Sequence, residues 1–154
     1  MRLLILATLL AAGLFVACSD DDGGSGNSDV AEGLEEVCTQ GDDADTDNIK
    51  VDSPDDGDRV SSPLTITGEI VAVEQQFWVS AVKGDGEHII DYPVRSREFV
   101  EDELSPFEAS VPFTVGEETP ICVWVYREST EEPADAIKIP VTFLPPEDVE
   151  ADPQ

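Results

Sequence analysis

The feature that most constrains the fold of this chain is an alternation of apolar and polar residues between positions 49 and 144. In "LTITGEI", from Leu64, every second residue is apolar or glycine, and the residues between them are polar. The stretches "FEASVPFTV", from Phe107, and "IKIPVTF", from Ile137, follow the same period of two. Because this alternation is typical of antiparallel strands that bury one face, it predicts an all-β domain.

Turn signals divide this region into about seven strands. The stretch "FWVSAVKGDGEHIIDYPV" predicts two strands joined by a tight turn at residues 84–86. With "NIKVD" and "ICVWVY", about seven strands fall within roughly 95 residues, the size of an immunoglobulin-like sandwich. Pro112 and Pro140 occupy outward positions and predict edge strands or bulges there, because proline cannot donate to a strand ladder. We expect a single antiparallel β-sandwich over residues 48–144.

The first seventeen residues resemble a bacterial secretion signal. Arg2 is the only charge before Asp20, and the apolar run up to Ala17 is shorter than the ~20 residues of a membrane-spanning helix. The run ends in Phe-Val-Ala-Cys, which resembles the lipobox of bacterial lipoproteins. This resemblance implies that residues 1–17 are removed and that lipidated Cys18 anchors an extracytoplasmic chain to the bacterial cell membrane. The alternative is an ordinary secretion signal with an incidental cysteine.

The charge of the chain excludes some classes of partner. Without Arg2, seven Lys or Arg side chains stand against 35 Asp or Glu side chains, a formal net charge of −28. Such a surface repels nucleic acid and anionic lipid headgroups, so we expect no nucleic-acid partner. Acidity of this degree also occurs in proteins of saline habitats, and the sequence does not separate the two causes.

The segments that flank the sandwich are acidic. Residues 18–47 are predicted to form a tether, because its first part is almost entirely Asp, Gly, Ser and Asn. Within the tether, "DVAEGLEEVC" (29–38) predicts a short helix, since its apolar residues share one face by helical spacing. Residues 145–154 contain three prolines and four acids and predict a disordered acidic tail.

Several short motifs follow one another along the predicted sandwich. They are Ser53-Pro54, Val60-Ser61-Ser62-Pro63-Leu64, Gly68, Glu74 with Phe77, Gly84 and Gly86, Phe107 to Phe113, Val125-Tyr126 with Ser129, and Pro140-Val141. In this order they resemble the Gmad-type immunoglobulin-like domain of bacterial spore germination and related envelope lipoproteins. The resemblance implies an extracellular sandwich with a binding or assembly role and without known catalytic residues. It fails after Ser129, where "TEEPAD" replaces the usual Lys-Asp-Gly-type turn.

The residues themselves also argue against catalysis. The one histidine, His88, lies in a predicted strand beside the hairpin, where a lone histidine is usually a surface or packing residue. No Gly-x-Ser-x-Gly or His-Glu-x-x-His motif occurs, and paired carboxylates carry little information in so acidic a chain. We therefore expect a protein that is not an enzyme and that needs no cofactor.

One acidic stretch, "DDADTDN", resembles the start of a calcium loop. It places Asp43, Asp45 and Asp47 at alternate positions. An EF-hand would then need glycine at position six and glutamate at position twelve, where this chain has Asn48 and Pro54. A solvated acidic linker is the favoured interpretation, and the three aspartates are only weak calcium candidates.

Two cysteines remain once Cys18 is assigned to lipid. Cys38 and Cys122 are an even number in a secreted chain, which favours a disulfide on the oxidising side of the membrane. The bond would close a loop of more than eighty residues, worth ~4 kcal/mol in the chain-entropy model. The alternative is two separate thiols.

An aromatic outer face is predicted from "FWVSAV" and "ICVWVY". If Phe77 points into the core, Trp78 points outward, and in an immunoglobulin-like sandwich these two strands are neighbours. Trp124 and Tyr126 would then join Trp78 on a candidate interaction face, with Cys122 beside them. A disulfide would pin the predicted helix over this face as a roof. The alternative buries Trp124 between the sheets.

Two functions follow from these expectations. The first is a membrane-anchored interaction module with an envelope protein as partner, in envelope or spore-germination assembly. The second is an accessory lipoprotein that binds cell-wall glycan or a small ligand. The sequence has no cofactor motif that favours either of them.

Overall fold

The computed structural model describes residues 28–42, 44–128 and 133–146. The elements are α1 (Ser28–Cys38), β1 (Ile49–Ser53), β2 (Arg59–Val60), β3 (Leu64–Ile70), β4 (Gln76–Val82), β5 (His88–Arg95), β6 (Ser105–Val111), β7 (Thr119–Tyr126) and β8 (Ile137–Phe143). Within this part of the chain, no helix is long and apolar enough to cross a membrane. The predicted signal, the predicted lipidation site Cys18 and most of the predicted tail lie outside the described residues.

The strands form two sheets that pack face to face. The three-stranded sheet has the order β1-β3-β6, and the five-stranded sheet has the order β2-β8-β7-β4-β5. The predicted all-β sandwich is therefore confirmed. The structure has eight strands, one more than expected. The additional strand is β2, whose residues Arg59 and Val60 pair in parallel with Thr142 and Phe143 of β8. Pro140 lies in β8 before the residues that pair with β2, so at this position β8 is paired only with β7.

Apolar side chains from both sheets form the core between them. In β3 and β6 every second residue is buried, as the alternation predicts. Phe77 of β4 lies at the centre of this core and is fully buried. Its ring centroid lies 4.7 Å from that of Phe107 and 5.9 Å from that of Phe99, so aromatic rings tie the two sheets together.

Strand β6 ends earlier than the sequence predicts. The alternation continues to Val115, but the strand stops at Val111. Pro112 has no amide hydrogen for a ladder, and the amide of Phe113 donates to Ser62 Oγ at 3.0 Å instead. As Pro112 predicts, β6 is an edge strand of its sheet.

Replacing Gly68 by alanine is expected to loosen the pairing of β1 with β3. A Cβ atom at this position would lie 2.0 Å from the carbonyl oxygen of Lys50, so one backbone must shift. We expect the free energy of unfolding, measured with urea, to fall by about 1–3 kcal/mol. Gly116→Ala is the matched control, because its added Cβ meets nothing within 4 Å. Equal unfolding midpoints for the two variants would contradict the expectation.

Candidate functional site

The side chains that β4 and β7 turn away from the core form an apolar cluster on the outer face of the five-stranded sheet. We call this the outer cluster; it consists of Trp78 and Val82 of β4, Cys122, Trp124 and Tyr126 of β7, and Ala136, which directly precedes β8. The two strands are antiparallel neighbours, with Trp78 opposite Tyr126. Trp124 therefore points away from the core, and the alternative that places it between the sheets is wrong.

Helix α1 covers the outer cluster. Leu34 and Val37 pack against it, and the helix contacts β7 and β8. Trp124 and Tyr126 are only 8% and 3% exposed, whereas Trp78 is half-buried. The aromatic face that the sequence suggested for interaction is thus largely closed while α1 is docked, so it is not an open binding surface.

A disulfide fixes the helix to the sheet. Cys38, the last residue of α1, is bonded to Cys122 of β7, 84 residues away in sequence, which confirms the predicted pairing. At Gly33 the helix touches the β4–β5 turn so closely that an added Cβ would lie 2.3 Å from the carbonyl oxygen of Gly84. Glycine is unfavourable inside a helix, but at position 33 the absence of a Cβ atom is what allows the helix to approach the turn so closely.

The chain after α1 is attached to β8 as well. The side-chain amide of Gln40 donates to the carbonyl of Ala136 at 2.8 Å and accepts from the amide of Lys138 at 3.0 Å. The guanidinium of Arg127 lies 2.8 Å from the Asp45 carboxylate. This part of the segment expected to be a tether is therefore held on the sandwich at several points.

The three aspartates that were weak calcium candidates differ in their surroundings. Asp43 lies outside the described residues, and Asp47 is exposed. Asp45 is engaged in the fold, because one carboxylate oxygen faces Arg127 and the other accepts a 2.7 Å hydrogen bond from the amide of Asn48. Among the residues that the structure describes, no three His, Cys, Asp or Glu side chains come together in a group that could hold a metal ion.

A polar network crosses the outer face beside the outer cluster. The Ser80 hydroxyl donates to Asp91 Oδ1 at 2.5 Å and lies 2.8 Å from the Tyr126 hydroxyl, which donates to it. Nδ1 of His88 lies 3.1 Å from the same Asp91 oxygen. Because the carboxylate stands between serine and histidine, His88 does not act as a base toward Ser80, and the arrangement differs from a nucleophile activated by an adjacent base. The network orients His88.

Stability at high pH is expected to depend on Tyr126. Burial raises the pKa of its phenol above the ordinary value, and the negative charge of Asp91 acts in the same direction. A raised pKa keeps the folded state protonated after the unfolded state has ionised, so stability is lost as pH rises above about 10. Urea unfolding from about pH 8 to about pH 11 should show a steeper loss for the native chain than for Tyr126→Phe. Tyr92→Phe, at an exposed tyrosine, is the control and should retain the native slope. Identical slopes for all three proteins would contradict the assignment.

A cleft of about 750 Å³ lies between α1 and the β4–β5 hairpin. Its lining includes Glu36, Val37, Val82, His88, Trp124 and Lys138. The Lys138 ammonium lies 4.7 Å from the Trp124 ring centroid, and the His88 ring meets Trp124 edge-on at 5.3 Å. The sequence drew attention to His88 only as a possible catalytic residue, and it did not single out Glu36 or Lys138.

Comparison with known proteins identifies the sandwich. The family model described as the immunoglobulin-like domain of bacterial spore germination matches residues 48–134, more than half of the chain. The match ends within the "TEEPAD" loop, where the motifs depart from the family, so β8 lies beyond it. Neither the curated proteins nor the solved structures gave a significant match. The chain belongs to the family of Gmad-type immunoglobulin-like domains of bacterial spore germination.

Proposed function

We propose that this chain is an extracytoplasmic lipoprotein, anchored through Cys18, whose immunoglobulin-like module binds a protein of the bacterial envelope. Membership of the family supports an interaction module, because immunoglobulin-like domains of this kind are generally not enzymes. The lipobox-like "FVAC" sequence supports the anchor. Ser28 lies ten positions after Cys18, a reach of at most about 35 Å, so the anchor would hold α1 close to the membrane.

The observation that carries the proposal is the asymmetry of the two sheets. Helix α1 is bonded to the five-stranded sheet and covers much of its outer face. On the three-stranded sheet, the outward side chains of Thr65, Glu108 and Ser110 are exposed to solvent. This outer face would therefore meet the partner, and its polar character suits a specific, reversible contact.

Lipid anchoring is tested by cell fractionation. The native chain is expected in the membrane fraction, labelled by an alkyne fatty acid supplied to the cells. Cys18→Ser should lose the label, while Ser19→Ala should keep it like the native chain. A Cys18→Ser chain that keeps the label, or a native chain that never acquires it, would overturn the anchor.

Partner binding is tested with the unlipidated full-length chain as bait in envelope extracts. A specific protein should be captured, and Thr65→Arg should abolish this capture while Glu36→Gln, on α1, preserves it. Retention on purified peptidoglycan without any protein capture would instead support glycan binding. Small-ligand binding, the other alternative, is favoured by one observation, the cleft beside Trp124.

A further inference from the structure

The cleft between α1 and the hairpin has fixed walls. The Cys38–Cys122 bond holds one end of the helix, and the contact of Gly33 with Gly84 holds its middle against the turn. The polar network holds His88 by Nδ1, so the other ring nitrogen, Nε2, is left for a ligand. A preformed site with few rotamers to freeze loses little entropy when a ligand binds.

The charges in the cleft are unusual for this chain. The two other lysine side chains of the chain are ion-paired with carboxylates, Lys50 with Glu69 and Lys83 with Glu87. The Lys138 ammonium instead lies over the Trp124 ring, and no carboxylate of the described residues pairs with it. A cation–π contact leaves the hydrogens of the ammonium free to donate to an oxygen ligand.

Helix α1 contributes a carboxylate to the same cleft. Glu36 is exposed and lines the same cavity as Lys138 and His88. Val37 and Val82 add apolar side chains to the lining. A ligand that satisfies all of these groups has an anionic end, a cationic end and an apolar body.

We propose that the cleft binds a short zwitterionic peptide, with its terminal carboxylate at Lys138 and His88 and its terminal ammonium at Glu36. This inference rests on the small-ligand alternative and is independent of the envelope-protein partner. A zwitterion has no net charge, so the formal charge of −27 does not repel it as it repels polyanions. A saccharide fits less well, because Lys138 occupies the ring face on which a sugar would stack.

Trialanine with free termini is the probe, added to the oxidised full-length Cys18→Ser chain and followed by two-dimensional NMR. We expect it to shift the resonances of Val37, Val82 and the Trp124 indole. Amidation of the peptide carboxylate, or Lys138→Met, should each weaken binding tenfold or more, because each removes a charge-assisted hydrogen bond. Lys50→Met is the matched control at an exposed lysine on β1.

The decisive comparison combines the two changes. In Lys138→Met, amidation should weaken binding no further, whereas a merely structural role for Lys138 would leave the full effect of amidation in place. Acetylation of the peptide amine should likewise weaken binding to the native chain and weaken binding to Glu36→Gln no further. Glu35→Gln should leave binding unchanged. No shift at about 10 mM trialanine, a concentration that reveals a site with Kd of ~1 mM, would overturn the proposal. So would shifts of the same resonances by chitotriose alone, which would identify a saccharide site.

Discussion

Replacing Cys38 and Cys122 together by alanine is expected to lower the free energy of unfolding by about 2–5 kcal/mol. The bond joins residues that are 84 positions apart, so the unfolded chain regains much conformational freedom when it is lost. The change also undocks α1, because an isolated helix of 11 residues is marginal in water. Denaturant unfolding of the Cys18→Ser chain, with and without the two replacements, measures the effect.

Hydrogen exchange can locate the elements that the disulfide stabilises. Amide protection should fall most in α1 and least in β3 and β7, and the Trp124 fluorescence should become open to quenching. Each single replacement breaks the same bond, so both single variants should match the double variant, as should the native chain under reductant. An α1 that keeps its protection in the double variant would show that packing alone holds the roof.

Replacing Phe77 by alanine is expected to lower the free energy of unfolding by about 3–5 kcal/mol. The ring is fully buried and packs on Phe99 and Phe107, so its loss leaves a cavity between the sheets. Tyr92→Ala is the matched control, because Tyr92 is 39% exposed on the neighbouring strand β5. We expect that control to cost about 1 kcal/mol or less, and equal losses for the two variants would contradict the proposed core.

Much of this arrangement could be predicted from the sequence, because strand periodicity decides which side chains share a face. Once Phe77 is assigned to the core, Trp78 must point outward. Both faces of β7 are apolar, so the sequence left the orientation of Cys122 and Trp124 open, and the structure turns both of them outward. If Cys122 lies on the outer face, a bond to Cys38 at the end of the amphipathic segment 29–38 places the helix over that face. The predicted secretion of the chain favoured this pairing.

The polar residues of the site could not be predicted, because they depend on register. The pairing of β4 with β5 shifts between Ala81 and Val82, so that Val82 pairs with His88 instead of Ile89. This bulge brings His88 to the outer face beside Trp124. Alternation without the bulge would place His88 on the opposite side of β5.

Contacts between distant segments of the chain could not be predicted from the sequence either. Gln40 reads as part of a polar linker, yet its side chain makes two hydrogen bonds with the backbone around β8. Asp45 reads as a calcium candidate, but Arg127 neutralises it in the fold. Side-chain composition cannot show these partners, since each is set by where the chain crosses the finished sheet.

We propose that the module binds an envelope protein through the outer face of its three-stranded sheet. Photo-crosslinking in intact cells tests this most directly, with a photoreactive phenylalanine analogue placed at Thr65 or Glu108 on that face, or at Glu36 on α1. The proposal predicts a discrete protein adduct from Thr65 and from Glu108 and none from Glu36, in chains that retain Cys18. An adduct from Glu36 alone, or no adduct from either position on the three-stranded sheet, would contradict it.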